Sequence, residues 1–164
     1  MRWADDRALQ ARALARMRAA LNYWLVTTMP NGAPHAAPVW GVWLDGALWF
    51  DTGDQKARNL ASDPRAVVHL DSADDVTMLR GRAEPIADAL TIARAADAFR
   101  EKYTLDGAPF ELAQGLELPG AQVYRFTPEI GHAWLEGAFE AAHTRWTFAP
   151  ATPPEHTDRD PATA

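Results

Sequence analysis

Residues 24–50 read WLVTTMPNGAPHAAPVWGVWLDGALWF, and the fold turns on how this stretch changes period and reverses direction. Trp24-Leu25-Val26-Thr27-Thr28 carries the aromatic and β-branched residues of a strand, and Pro30-Asn31-Gly32 ends it with a hairpin-forming dipeptide. His35 to Leu44 predicts a second strand, and Asp45-Gly46 a second tight turn into Ala47-Leu48-Trp49-Phe50. Three consecutive strands joined by short turns predict an antiparallel meander. Along the middle strand Val39, Gly41 and Trp43 fall on one face, and Trp40, Val42 and Leu44 on the other. A sheet with one wetted face would alternate apolar with polar residues, and this strand does not. Both faces must be covered, one by a barrel interior and the other by a helix, a ligand or a second subunit.

Working outward, residues 5–21 predict a helix, with Leu9, Ala13, Met17 and Leu21 at helical spacing and arginines over the rest of its surface. Residues 53–62 predict a short helix ended by Asp63-Pro64, because the residue before proline leaves the helical region. Strands are expected over 66–70 and 76–84, the acidic run 71–75 forming the hairpin tip between them. Residues 87–103 predict a long helix with the apolar stripe Ile92, Ala96, Phe99 and Tyr103. Residues 104–119 read as irregular, 121–127 and 130–135 as two further strands, and 145–148 as a last short one. Residues 150–164 have almost nothing to bury and are expected to form a disordered tail behind a single domain over 1–149. Six or seven short antiparallel strands with flanking helices predict a small closed or half-closed barrel. Two barrels pairing would cover the second apolar face.

Composition narrows the function. Lys+Arg is 16 against Asp+Glu 22, a formal net charge of -6, so nucleic acid and anionic lipid are not expected partners. No run approaches the length of a membrane span, and the amino terminus lacks the apolar core of a secretory signal, so the cytoplasm is the expected location. The absence of cysteine excludes disulfides, thiolate metal sites and cysteine nucleophiles. Ser62 and Ser72 lie in no G-x-S-x-G elbow, and His35, His69, His132 and His143 show no metal-ligand spacing, so no metal is expected.

The stretch Trp49-Phe50-Asp51-Thr52-Gly53-Asp54-Gln55-Lys56-Ala57-Arg58-Asn59-Leu60 is the richest in candidate chemistry. A strand ends, a hydroxyl and a glycine follow, and a helix opens with Lys56 and Asn59 about one turn apart, able to converge on one ligand. Free N–H groups at a helix start suit a phosphate, and Lys56 and Arg58 would add charge-assisted contacts. The same pattern also suits a solvated helix face with an ordinary cap. The Gly-x-x-Lys spacing is not a Walker motif.

Leu25-Val26-Thr27-Thr28, Pro38-Val39-Trp40, Phe50-Asp51-Thr52, Lys56-Ala57-Arg58-Asn59-Leu60, Asp63-Pro64-Arg65 and Leu79-Arg80-Gly81-Arg82-Ala83 together resemble the pyridoxamine 5'-phosphate oxidase-like family. The likeness is to its flavin- and deazaflavin-dependent oxidoreductases and spans roughly residues 20–148. It implies a split β-barrel, a homodimer with two cofactor sites at the subunit interface, and a cofactor that is coenzyme F420 first and FMN second. It implies that Lys56 holds the cofactor phosphate, with Arg58, Asn59 and Gln55 beside it. Pro38, Val39 and Trp40 would line the ring, with Phe50, Asp51 and Thr52 at the adjoining strand end. Trp134, Arg145 and Trp146 would reach the cofactor from the partner chain. The oxidase proper carries Arg-x-His near its end, where this chain has His143-Thr144-Arg145-Trp146, so pyridoxamine phosphate oxidation itself is not expected.

The expected activity is hydride transfer between the cofactor and a small unsaturated organic substrate, the protein supplying orientation, electrostatics and a dry pocket. His132 and Tyr124, on late strands, are candidate proton donors. A non-catalytic protein that holds a flavin-type cofactor or haem is the alternative, and a dimerisation module with a decayed site is a third reading.

Overall fold

A computed structural model describes residues 5–117 and 120–149; the tail expected over 150–164 lies outside the described residues. Helix α1 (Arg7–Ala19) opens at Asp6, whose carboxylate accepts the Leu9 N–H at 2.9 Å. It buries Leu9, Ala13 and Met17 as the spacing requires. It stops at Ala19, so Leu21 falls outside it and lies exposed.

Strands β1 (Tyr23–Thr28), β2 (Pro34–Val39), β3 (Val42–Leu44) and β4 (Ala47–Thr52) follow. Then come α2 (Asp54–Ser62), β5 (Arg65–His69), β6 (Asp75–Ile86) and α3 (Ala89–Lys102). The chain continues through β7 (Thr104–Leu105), β8 (Ala108–Pro109), α4 (Leu112–Gly115), β9 (Gln122–Leu135) and β10 (His143–Thr147). The main antiparallel sheet has the order β2-β1-β5-β6-β9-β4-β3, with β10 on β9, eight strands where six or seven were expected. This mostly antiparallel architecture with helices around it fits a split barrel.

Three expectations are corrected. The stretch 35–44 is not one strand: it breaks at Trp40-Gly41, and β2 and β3 sit at opposite ends of the sheet order. There is thus no three-strand meander but two hairpins, β1–β2 and β3–β4, joined by a two-residue link. Because so short a link spans at most about 11 Å, the sheet must curl until its two ends meet. Gly41 permits the approach, since a Cβ there would lie 2.9 Å from the carbonyl oxygen of Trp49.

The segments 121–127 and 130–135 are one strand, β9, which pairs with β4, β6 and β10 and forms the spine of the barrel. Pro128 reads as a breaker because it lacks an N–H, yet the register with β6 shifts there: Arg80 faces Ile130 and Gly81 faces Pro128. Glu129 is the extra residue of a bulge, a place where a strand tolerates proline. Gly81 packs so closely that a Cβ would lie 2.1 Å from the Thr127 carbonyl oxygen.

Residues 104–119 are not wholly irregular. Asp106-Gly107, with φ of 53° and 82°, turns the β7–β8 hairpin, the same left-handed pair as Asp45-Gly46.

Two clusters fill the structure. Inside the barrel, Leu25, Leu48, Phe50, Val68, Leu79 and Phe126 pack against Leu9, Ala13 and Met17 of α1. Outside β3 and β4, Ala95 and Phe99 of α3 and Tyr103 just after it meet Val42, Ala47, Trp49 and Val123, with Phe110 and Leu112 completing the layer. A large buried side chain such as Phe99 contributes about 1.5–3 kcal/mol. Helix α3 therefore packs on the second apolar face within one chain.

Candidate functional site

Beyond Thr52 the chain leaves the sheet and turns at once into α2. Gly53 caps the helix without a side chain, and Asp54, its first residue, takes a left-handed φ of 52°. The first N–H groups of α2 are thus left without a side-chain acceptor. They open beside a cavity of about 330 Å³ lined by Asn22, Pro38, Val39, Trp40, Asp51, Thr52, Gly53, Asp54, Lys56 and Phe110. Its position is set by barrel closure, which brings the end of β2 beside the end of β4.

Thr52 is 5% exposed, and its Oγ1 finds no hydrogen-bond partner among the described residues. A buried hydroxyl left this way costs free energy unless a ligand or water meets it. Lys56, in the first turn of α2, has no carboxylate within ion-pair distance among the described residues. Burial pushes the Asp51 carboxyl above its usual range, against the lowering influence of its own backbone N–H and of Lys56. Helix α4 confines that carboxyl: a Cβ on Gly115 would sit 2.1 Å from Asp51 Oδ2. Aromatic rings form part of the wall, where Trp40 stacks on Tyr103 at 4.8 Å and meets Phe110 edge-on at 5.2 Å. The lining combines a hydroxyl, helix N–H groups and one cation with the carboxylates of Asp51 and Asp54 and the apolar side chains of Pro38, Val39, Trp40 and Phe110.

Of the residues singled out in the sequence, Pro38, Val39, Trp40, Asp51, Thr52 and Lys56 come together here. Others do not. Phe50 is fully buried and stacks on Tyr124 at 5.6 Å. Asn59 is fully buried, donating to Thr27 Oγ1 at 2.9 Å and accepting from Gln55 Nε2 at 2.7 Å, so it ties the helix to β1 instead of facing the cavity. Arg58 donates to Gln55 Oε1 at 3.0 Å and lines a separate cavity of about 280 Å³ on the other flank of α2.

The late residues lie on β9 and β10. Trp134 donates its indole N–H to Glu136 at 3.0 Å, and Arg145 is exposed near Asp5 and Gln10. Trp146 is 7% exposed in the barrel core, with its indole where a Gly131 Cβ would be, so it is packing and not a group free to reach a partner chain. Tyr124 and His132 are buried and do not line the cavity. Burial raises the Tyr124 hydroxyl; burial, then the charges of Arg145 and Arg80, lower His132. Asn22, Asp54 and Phe110 were not singled out, and Gly53 was read only as the turn before the helix. Gly53 and Asp54 are bracketed by residues that were singled out, whereas Phe110 lies in a segment with no legible period.

The pyridoxamine 5'-phosphate oxidase family model matches residues 10–135, most of the chain. The protein belongs to this family. No curated protein sequence matches it. Solved structures with the same fold include the conserved hypothetical protein Rv2991 of Mycobacterium tuberculosis, at 23% identity and a TM-score of 0.62, covering 81% of this chain and 86% of that one. A heme binding protein from Mycobacterium smegmatis matches at 21% identity and a TM-score of 0.64, over 88% of this chain and 59% of that one. A Clostridium acetobutylicum protein related to general stress protein 26 of B. subtilis, of the pyridoxinephosphate oxidase family, matches at 15% and 0.65, over 87% and 96%. At these identities the likeness is one of fold.

Proposed function

We propose that this family member is an oxidoreductase that holds a phosphorylated flavin-type cofactor, coenzyme F420 first and FMN second, in the cavity at the start of α2. The observation that carries the reading is the buried Thr52 Oγ1 and the Lys56 ammonium, both without partners among the described residues, beside the uncapped N–H groups of α2. Neutral donors, a helix N-terminus and one cation in one cavity suit a phosphate. Burial raises the Asp51 carboxyl, which lessens its opposition to an incoming anion, while the Asp54 carboxylate also lines the cavity.

When bound, such a cofactor supplies hydride transfer at its ring. The chain's part is to orient and enclose. Lys56, Thr52 and the α2 N–H groups fix the anionic end, and Trp40 and Phe110 offer a flat wall for the ring. The Asp51 carboxyl, raised by burial, stands beside the site. The substrate in this reading is a small unsaturated organic molecule. The reading includes a homodimer, in which the exposed Arg145 stays available to a partner, and a cytoplasmic location. No helix among the described residues is long and apolar enough to cross a membrane.

The second reading is a haem-holding protein, favoured by the haem-binding structural neighbour. The cavity lining has no His, Cys, Met or Tyr to serve as an axial ligand, which weighs against it there. Absorption titrations with coenzyme F420, FMN and haem decide. A saturable shift with F420 or FMN, followed by faster reoxidation of the reduced cofactor with an acceptor, supports the enzyme. A shift with haem alone supports the second reading. Binding to none of the three removes both and leaves a dimerisation module.

A further inference from the structure

The link Trp40-Gly41 belongs to neither of the ladders it joins, so its backbone groups need partners from elsewhere. For Gly41 they come from Lys102 and Tyr103, at and just past the end of α3. The Tyr103 hydroxyl accepts the Gly41 N–H at 2.9 Å and lies 2.7 Å from the Leu21 carbonyl oxygen and 2.8 Å from that of Gly41. Lys102 Nζ donates to the Gly41 carbonyl at 2.7 Å and to the Tyr23 hydroxyl at 3.1 Å. Tyr23 in turn donates to the Met17 carbonyl at 2.6 Å. One consistent assignment satisfies every group: Gly41 to Tyr103, Tyr103 to Leu21, Lys102 to Gly41 and Tyr23, Tyr23 to Met17.

The ammonium of Lys102 lies about as far from the Tyr23 ring, 5.1 Å, as from the Tyr103 ring, 5.2 Å. No carboxylate pairs with it among the described residues. A half-buried lysine without a counterion is an expensive way to hold one carbonyl. Its consequence is felt one residue earlier. With Gly41 held by Lys102 and Tyr103, and Tyr103 stacked 4° from parallel beneath Trp40, the indole plane in the cavity wall is tied to these same two residues.

We propose that Tyr103 and Lys102 are positioning residues: by clamping Gly41 they fix the plane of Trp40, against which the planar ring of the ligand docks. The ring's identity rests on the cofactor reading above; the clamp does not.

The test uses 5-fluorotryptophan-labelled protein, the Trp40 fluorine resonance being assigned with Trp40→Phe. FMN and coenzyme F420 are titrated into wild type, Tyr103→Phe and Lys102→Met, with inorganic phosphate as competitor. Tyr103→Phe keeps the stacked ring and loses the hydroxyl. It should shift or broaden the Trp40 line and weaken ring-bearing cofactors roughly tenfold, leaving competition by inorganic phosphate unchanged. Lys102→Met should act in the same direction and serves if Tyr103→Phe does not fold. A Trp40 line unmoved in the folded variants overturns the clamp. A moved line with unchanged cofactor affinity overturns its role in docking. A wild-type chain that takes up neither cofactor overturns the cofactor reading and the docking role, the clamp itself being judged by the Trp40 line.

Discussion

Asn59 Nδ2 donates to Thr27 Oγ1 across 2.9 Å of protein interior, joining α2 to β1 with both side chains sealed from solvent. Asn59→Leu leaves the Thr27 hydroxyl, 2% exposed, without that donor and should destabilise the protein by about 1–3 kcal/mol, read from urea unfolding. Cofactor affinity should change far less, because Asn59 does not line the cavity. A variant of unchanged stability that loses binding would return Asn59 to the ligand.

Lys56 has the opposite profile. Half-exposed and without an ion pair among the described residues, it contributes little to folding, and Lys56→Ala should move stability by no more than about 0.5 kcal/mol. Losing a charge-assisted phosphate contact should weaken FMN or F420 binding about tenfold to more than a hundredfold, by roughly 1.5–3 kcal/mol. Unchanged affinity in an absorption titration removes the phosphate site from α2.

The bulge at Gly81 is a steric requirement. A Cβ there lies 2.1 Å from the Thr127 carbonyl oxygen, which is backbone and cannot swing aside. Gly81→Ala should cost about 3 kcal/mol or more, or fail to give soluble protein, whereas Gly137→Ala, with nothing within 4 Å, should stay within about 0.5 kcal/mol. Thermal melts of the two side by side check this; equal stabilities would refute the bulge geometry.

The clamp also makes stability depend on alkaline pH. Burial pulls Lys102 down to about 8 from an ordinary 10.5. Below pH 8 both folded and unfolded chains hold the proton, and the penalty of the buried charge is fully present. Between about pH 8 and 10 the folded chain releases it first, so stability rises. Above about pH 10 burial keeps Tyr23 and Tyr103 protonated in the folded chain, Tyr103 up to about 12, while unfolded tyrosines ionise, and stability falls again. Urea midpoints from pH 7 to 11 should show this maximum, and Lys102→Met should remove the rising limb. A rising limb that persists in the variant would assign it to another group.

What could be read from the chain was local. The 3.6-residue spacing of Leu9, Ala13 and Met17, the Asn31-Gly32 and Asp45-Gly46 turns, and the stop at Asp63-Pro64 depend on neighbours within a few residues. The start of α2 was legible for the same reason: Thr52, Gly53 and Lys56 follow one another across a strand end. Where the reading went astray, a distant partner decided. Trp40-Gly41 reads as mid-strand until α3 and β4 are seen to hold it as a link. Pro128 reads as a strand end until β6 absorbs it in a bulge.

The sequence by itself determined a mostly β chain with flanking helices, two apolar faces to cover, and a hydroxyl-glycine-lysine run at a strand end, because each is encoded in the period and chemistry of adjacent residues. Only the tertiary structure decided that α3 covers the second face, that Asn59 and Trp146 turn inward, and that Asn22, Trp40 and Phe110 share a cavity with Lys56. Those outcomes depend on which end of a curled sheet meets which, and nothing in a window of a few residues carries that information.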